Sequence, residues 1–395
     1  MNLSSISTSL FVGILSLSSV ASAEPWSAPI AHILAVGPEG SGNPDAAEAG
    51  QTLTALGSLA LLPSLEAMAE ANPLARNWLR SVVEAIVADA ADSPGSLPIE
   101  NIKAFLLDRK NDPLARHLAF DLYTLLGPDD AFTLIPGMID DPSPPLRREA
   151  VALQIKEGNR LFAANDKGAS VTTFKSALDA ARDVDQIDEI AKTLRKGLSQ
   201  TVDLQRQFGF LSHWNVIGPF DNTDQAGFAK VSPPEESIDL SASYSGKDDK
   251  MVAWQPYATS DDYGMVDLNQ PYSPLKQVLG YAYTEYDAPA ARRAELRLGC
   301  KNAWKIWLNG EYLFGRDEYH RGIRIDQYVL PIKLKKGRNT ILVKVCQNEQ
   351  EQDWTVEWQF QLRICDESGS ALLATDRPPT PEAAPAPRRP AAPAN

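Results

Sequence analysis

Near Phe210 the hydrophobic period of this chain changes from a helical one to an alternating one, and that switch constrains its fold more than any other feature. From about Gln51 to Gln207 the sequence is rich in Ala, Leu, Glu and Arg at helical spacing. Beyond it, Ala294, Leu296, Leu298 and Cys300 alternate with charged or small residues. Trp354, Val356, Trp358, Phe360, Leu362 and Ile364 alternate in the same way against Thr355, Glu357, Gln359, Gln361 and Arg363. A period of two places one face in a core and the other in water, as in an antiparallel sheet. Turn signals at Asn309-Gly310 and over Lys335–Asn339 separate the strands. The expectation is a multidomain α + β chain, an α-solenoid followed by an antiparallel β-sandwich. Its 395 residues exceed one ordinary core and call for two or three domains.

The helical half contains three similar starts, NPLARNWL at Asn72, DPLARHLA at Asp112 and PPLRREA at Pro144. Asp or Asn before Pro supplies an N-cap and a residue whose φ already suits the first turn. Leu74, Leu114 and Leu146 stand 40 and then 32 residues apart, a spacing suited to stacked helix pairs. These segments resemble HEAT-like repeats. The matching residues are Asp112, Ala115 and Arg116, then Asp141, Leu146 and Arg147, with Asn72, Ala75 and Arg76 a looser match. In such repeats the Asp and Arg form a structural ladder between units, which the resemblance implies here in preference to a ligand contact. The following stretch resembles a tetratricopeptide helix pair, with Gly158, Leu161, Phe162, Ala169, Phe174 and Ala177 at packing positions, and is expected to close the solenoid.

KNAWKIWLNGEYLFGRDEYHRGIRIDQYVLPIKLKKGRNTILVKVCQ, from Lys301, carries a second resemblance. A strand ending in Trp-Leu-Asn-Gly, a loop, a strand and then Lys-Gly-Arg-Asn-Thr-Ile-Leu-Val-Lys-Val is similar to galactose-binding-like jelly rolls. Their sugar-binding version occurs in many glycoside hydrolases. The likeness extends over Phe210 to Cys365 and implies carbohydrate binding or a bracing role. HWNVIGPFDN, from His213, fits the start of that module. Trp214, Val216 and Phe220 have the spacing of a strand facing a core, and Gly218-Pro219 bends or ends it. Similar openings stand at the start of jelly-roll modules in exported bacterial proteins.

The first residues hold an apolar core from Leu10 to Leu17 and end in Ala21-Ser22-Ala23, as in a cleaved secretory signal. A secreted or periplasmic protein is expected, its mature chain beginning at Glu24. No other apolar run approaches the ~20 residues that span a bilayer. The formal charge of −13 argues against nucleic acid and anionic membranes as partners. The layout expected is signal peptide 1–23, linker 24–50, HEAT-like repeats 51–150, tetratricopeptide-like capping helices 151–207, galactose-binding-like sandwich 208–366 and disordered Pro/Ala-rich tail 367–395. The three cysteines, Cys300, Cys346 and Cys365, are not a disulfide framework. If the strands holding Cys346 and Cys365 form a direct hairpin, the two thiols stand on the order of 40 Å apart at ~3.3 Å per residue.

Sugar sites combine aromatic platforms with Asp, Asn and Arg in a small concavity. Trp354 and Trp358 share the uninterrupted apolar face and are read as core, as is Trp304. Trp307 has the opposite parity and is a candidate for ligand stacking, against packing under a neighbouring loop. The loop GRDEYHRG offers Arg316, Asp317, Tyr319, His320 and Arg321, against a merely solvated hairpin. Trp254 and Tyr257 are candidates for a second aromatic platform, against the same merely structural alternative. Neither the spacing of the four histidines nor a G-x-S-x-G elbow supports catalysis or a metal, and no cofactor is expected. The expectation is an exported, non-catalytic binding or adaptor protein, its sandwich binding carbohydrate and its solenoid a protein partner. The alternatives are a protein–protein scaffold without a glycan ligand and a glycan-acting hydrolase.

Overall fold

The computed structural model describes residues 24–90, 94–126 and 131–382. The expected signal peptide at 1–23 and the end of the chain, 383–395, lie outside the described residues. The protein is mixed α and β, with helices first and antiparallel sheets in the C-terminal half. It divides into two compact units, one up to Phe132 and one from Thr133.

In the first unit α1 (Ser27–Leu34) packs on α2 (Asn43–Leu56), which with α3 (Ser58–Ala67) packs on α4 (Pro73–Asp89); α5 (Ile99–Leu107) packs on α6 (Pro113–Leu126). Residues 24–50, expected as a linker, instead hold α1 and the start of α2. Ile33, Val36, Ala46 and Ala49 are buried there, because alanine lets helices approach closely enough to build a core without long apolar runs. The cap reading is realised atom by atom. Asn72 Oδ1 accepts from the Leu74 and Ala75 amides, and Asp112 Oδ1 from those of Leu114 and Ala115. Arg76 Nη2 reaches Asp112 Oδ2 at 3.5 Å, linking two successive helix starts. Arg116 is buried and donates to the Leu106 carbonyl at 2.7 Å.

The one-turn α7 (Ala131–Leu134) crosses into the second unit, which continues with α8 (Pro144–Ala163), α9 (Lys167–Ala180), α10 (Val184–Lys192) and α11 (Leu204–Phe208). Gly158 lets α8 meet α9, since a Cβ there would stand 2.9 Å from the Phe174 ring. The strands are β1 (His213–Asp221), β2 (Ser243–Ser245), β3 (Met251–Ala253), β4 (Gln255–Ala258), β5 (Val266–Asp267), β6 (Val278–Ala288), β7 (Arg292–Cys300), β8 (Ala303–Leu308), β9 (Glu311–Arg316), β10 (Tyr328–Leu334), β11 (Gly337–Gln347) and β12 (Gln359–Cys365). Six of them are ordered β4-β1-β6-β11-β8-β9, four are ordered β10-β7-β12-β5, and β2 pairs with β3. One core joins residues of both larger sheets, including Trp214, Val216, Tyr286, Trp304, Ile306, Val343 and Val345 with Leu296, Leu298, Trp358, Phe360 and Leu362. The opposite face of the six-stranded sheet is also buried, where Ile217, Tyr281, Tyr283, Trp307 and Leu342 meet Phe228, Tyr244, Trp254 and Tyr319.

The helices after Thr133 are bonded to this β-rich part. Arg195 grips Asp262 with both terminal nitrogens, at 2.6 and 2.9 Å, and Tyr263 donates to Asp188. Arg363, 2% exposed, donates through Nε to Asp326 and through Nη1 to the Phe208 carbonyl that ends α11. Arg297 reaches the same Asp326 and also Glu295.

Three sequence expectations fail here. The strand expected from Trp354 begins only at Gln359. Residues Asp353–Thr355 form a 3-10 turn, held by Gln347 Nε2 and Lys276 Nζ donating to the Thr355 carbonyl, so Trp354 is 56% exposed. The alternation of apolar residues runs through that turn without a strand beneath it. Trp358 is core as expected, its indole N–H donating to the Val345 carbonyl. Next, β11 and β12 lie in different sheets and form no hairpin, and all three cysteines are buried free thiols. Finally, the chain does not come loose at Glu367. Cys365 bridges to Ala371, the Leu372 amide donates to the Ile364 carbonyl, the Thr375 amide donates to the Asp287 carbonyl, and Leu372 and Ala374 pack on the core. Composition hid this, because backbone bonds and two small apolar contacts need no bulky residues.

Candidate functional site

Where the first half of β1 pairs with β4, the edge of the six-stranded sheet lines a groove. The returning chain at Ala374–Pro378 makes its other wall, and the groove measures about 500 Å³. Ser212, His213 and Asn215 come from β1 and the residue before it, Pro256 and Tyr257 from β4, Thr284 and Glu285 from β6, and Asp376 and Arg377 from the wall. Trp214 and Val216 face the core, so the parity of β1 turns the intervening His213 and Asn215 away from it.

Tyr257 is half-buried. Its hydroxyl accepts from the Asp267 amide, and burial holds it protonated above the ordinary tyrosine range. Thr284 is fixed by donating to the His213 carbonyl. Glu285 accepts from the Tyr283 hydroxyl at 2.8 Å and pairs with Arg338. His213 Nδ1 lies 3.2 Å from the Ser212 hydroxyl; burial first, and then Arg377, lower its basicity below that of a free histidine. The groove thus presents one aromatic face, an amide, carboxylates, an imidazole and a guanidinium, a set suited to hydroxyl-rich ligands.

Of the sequence candidates, this groove contains Tyr257 alone. Trp254 lies behind it, its ring 6.3 Å from Tyr283 in the outer-face cluster. Trp307 is 8% exposed, packed edge-on against Tyr312, and it forms the back of a recess of about 130 Å³ under Pro234–Ile238. The loop candidates separate. Arg316 and Arg321 are exposed and lie near Glu318, at 3.9 and 3.4 Å. Asp317 is exposed at its residue surface, yet burial of the carboxyl, more than Lys305 offsets, raises its pKa. Tyr319 accepts from Asn222 Nδ2, and His320 Nε2 sits 2.7 Å from Asn348 Oδ1. The His320 ring also meets the exposed Trp354 indole edge-on at 5.4 Å. Burial, more than the nearby Lys276 and Lys301, lowers the basicity of His320 below that of a free histidine, and the Asn348 bond opposes it.

The first unit has its own surface feature. Two recesses of about 430 and 550 Å³ share Trp78 and Ser81 and run along α2 and α4, past Leu74, Asn43, Ala47, Gly50 and Thr54. Among the described residues no group of His, Cys, Asp or Glu is placed to hold a metal ion, and no helix is long and apolar enough to cross a membrane.

Sequence reading missed His213, Asn215, Arg377, Trp354 and Trp78. The parity of β1 marked the first two. Arg377 sits in a Pro/Ala-rich stretch read as tail, and nothing in a linear sequence brings it to β1.

No family model matches the chain, and no curated protein matches it. Among solved structures it is similar over part of its length to a beta-glucosidase from Kluyveromyces marxianus in complex with glucose (14% identity, TM-score 0.18, 22% of this chain and 10% of that one). An anti-sigma factor domain-containing protein from Clostridium clariflavum matches 41% of this chain and 45% of its own, at 10% identity and TM-score 0.26. A family 35 carbohydrate binding module from Clostridium thermocellum matches 22% of this chain and 69% of its own, at 18% identity and TM-score 0.17. The chain spans a tenth of the first of these and under half of the second. Likenesses this slight define neither a family nor a ligand.

Proposed function

We propose that this is an exported, non-catalytic binding protein. Its β-rich part is read as a galactose-binding-like jelly-roll sandwich that takes carbohydrate in the β1–β4 groove, and its helices as a HEAT-like solenoid that docks a protein. The observation that carries the glycan reading is the groove itself. Half-buried Tyr257, opposite Trp214 in the β1–β4 ladder, lines a concavity of about 500 Å³ together with Asn215, Thr284, Glu285 and Asp376, room for a short oligosaccharide. Glu285 is tied up by Arg338 and Tyr283, which suits it to accept hydroxyls rather than to shuttle protons.

Tyr257→Ala is expected to weaken oligosaccharide binding by about tenfold or more, measured by titration calorimetry. Asn215→Ala, which removes one polar contact and no packing, should give a smaller loss. Absence of binding to every member of a broad glycan array would overturn the glycan reading and leave a protein–protein scaffold. Turnover abolished by Glu285→Gln or Asp376→Asn would make the protein a hydrolase.

The solenoid reading rests on the continuous α2–α4 recess, whose shared ring is the kind of aromatic anchor that dominates interfaces. Trp78→Ala should abolish co-purification of a protein partner while oligosaccharide titrations stay unchanged. Retained co-purification would place the partner elsewhere.

A further inference from the structure

Arg377 brings a positive charge into the groove wall that has no ion-pair partner among the described residues. Its backbone is held by the Thr375 amide bonded to Asp287 and by its own amide bonded to Ala374, and its Nη1 donates to the Phe210 carbonyl at 2.8 Å. Its Nη2 is shut off from water and has no acceptor. No carboxylate among the described residues comes within ion-pair distance of it. Glu285 is taken by Arg338, and Asp203 is engaged by the Thr380 hydroxyl and the Arg206 amide. Asp376, its neighbour in sequence, is exposed at the rim. Beside Arg377 on the same lining stands His213, whose Nδ1 faces the Ser212 hydroxyl and whose Nε2 carries no hydrogen bond among the described residues. Burial lowers the basicity of both groups; at Arg377 the Asp203 carboxylate offsets part of this and Arg206 adds to it.

A half-buried guanidinium that leaves one nitrogen shut off from water without an acceptor is costly to hold, and such groups persist where a ligand supplies an acceptor. We infer that the groove selects glycans bearing an oxyanion, a carboxylate or a sulfate ester, with Arg377 as the group that reads it and His213 as its auxiliary. This rests on the glycan reading above and narrows it. Tyr257 and Asn215 take the sugar ring and its hydroxyls, which any glycan offers, while the guanidinium separates charged from neutral sugars. With Nη1 held by the Phe210 carbonyl, the remaining N–H donors of the planar guanidinium can meet an oxygen of an anionic group in an orientation that a lysine cannot fix.

A pH dependence follows. Burial and then Arg377 make His213 less basic than a free histidine, so it gains its proton only below the ordinary histidine value of 6.5. The groups around it are Arg377 and Asp376 from the wall, Glu285 and Thr284 from β6, Tyr257 from β4 and Ser212. Protonation adds a second cation beside Arg377, so an anionic glycan binds more tightly as pH falls below the ordinary histidine value. Both ligand anions stay ionised in mild acid.

The test titrates the full chain with three probes matched in length: a galacturonate trimer, a sulfated galactose trimer and a neutral galactose trimer. At least one anionic probe is expected to bind about tenfold or more tighter than the neutral one, and which of them gains identifies the oxyanion. Arg377→Gln should erase that advantage, costing the anionic probes far more than the neutral one. Arg377→Lys, which keeps the charge and loses the fork, should retain part of it, and its melting temperature checks the fold. His213→Gln should abolish the gain that appears on acidification and leave the affinity near pH ~7.5 unchanged. Equal affinity for all three probes, or an equal loss for all three on Arg377→Gln, overturns the inference and leaves the glycan reading standing. Binding of none of them at the groove overturns both.

Discussion

Asp326→Asn is expected to lower the stability of the second unit by about 3–5 kcal/mol, read from urea unfolding followed by tryptophan fluorescence. Asp326 is the shared anion of two guanidiniums. Arg363 is 2% exposed and Arg297 lies 15% exposed at the side chain. Removing the charge leaves Arg363 buried with only the Phe208 and Gly369 carbonyls as partners. The substitution isolates the charge, since Asp326 has φ +58 and asparagine adopts that conformation as readily. Burial alone would raise the Asp326 pKa; the bonds from Arg363 and then Arg297 outweigh it and hold the group below the ordinary aspartate value of 3.8. A carboxylate depressed in the folded state contributes fully above that ordinary value, and its contribution is lost as pH falls through the lower folded one. The wild type should therefore lose stability below about pH 4 more steeply than the Asn variant. An Asn variant within about 0.5 kcal/mol of wild type would sink this account of the joint.

A comparable loss, about 3–5 kcal/mol, is expected from Glu235→Gln on the outer face of the six-stranded sheet. Lys344 projects from β11 and is fully buried. Its ammonium donates to the Phe228 and Lys230 carbonyls and to Glu235 at 2.9 Å. Glu235 also accepts from Tyr281, at 2.5 Å. Burial pushes the Lys344 ammonium toward losing its proton, and Glu235 opposes that. Without the carboxylate the cation faces carbonyls and the Tyr281 ring alone. Lys344→Met combined with Glu235→Gln should recover most of the loss, because the combination removes both charges. If the double variant is as unstable as the sum of the singles, the pair is not coupled and the segment over Trp307 is held by its apolar contacts.

The extent to which the sequence announces this molecule differs by element. Caps at Asn72 and Asp112 are local, governed by an acceptor two or three residues from its donors, so a short motif suffices. Alternation marks β7 and β12 correctly along their length. It overruns at Trp354 because parity does not register where the ladder partner ends; only the Gln347 and Lys276 side chains, distant in sequence, fix that turn. Trp307 has outward parity, as the sequence indicates, yet parity describes one sheet and not the segment laid over it. The groove draws on residues near 213, 257, 284 and 377, four stretches that only the pairing of β4, β1 and β6 and the return of the chain bring together. Tyr257 was legible because aromatic residues announce themselves, and Arg377 was not because its surroundings are Pro and Ala.

The three unpaired thiols carry a consequence for how the protein fails. Burial pushes Cys300 and Cys346 up to about 12 and Cys365 to about 11. Near pH 7 that leaves about one thiolate in 10⁴ to 10⁵ molecules, and each thiol is screened from reagents besides. The folded chain is therefore inert to oxidants that attack thiolates. Unfolding restores ordinary acidity to all three at once, and an odd number cannot be consumed by pairing within one molecule. Each unfolding event in an oxidising medium thus offers a route to covalent dimers, and survival becomes a matter of how seldom the chain opens.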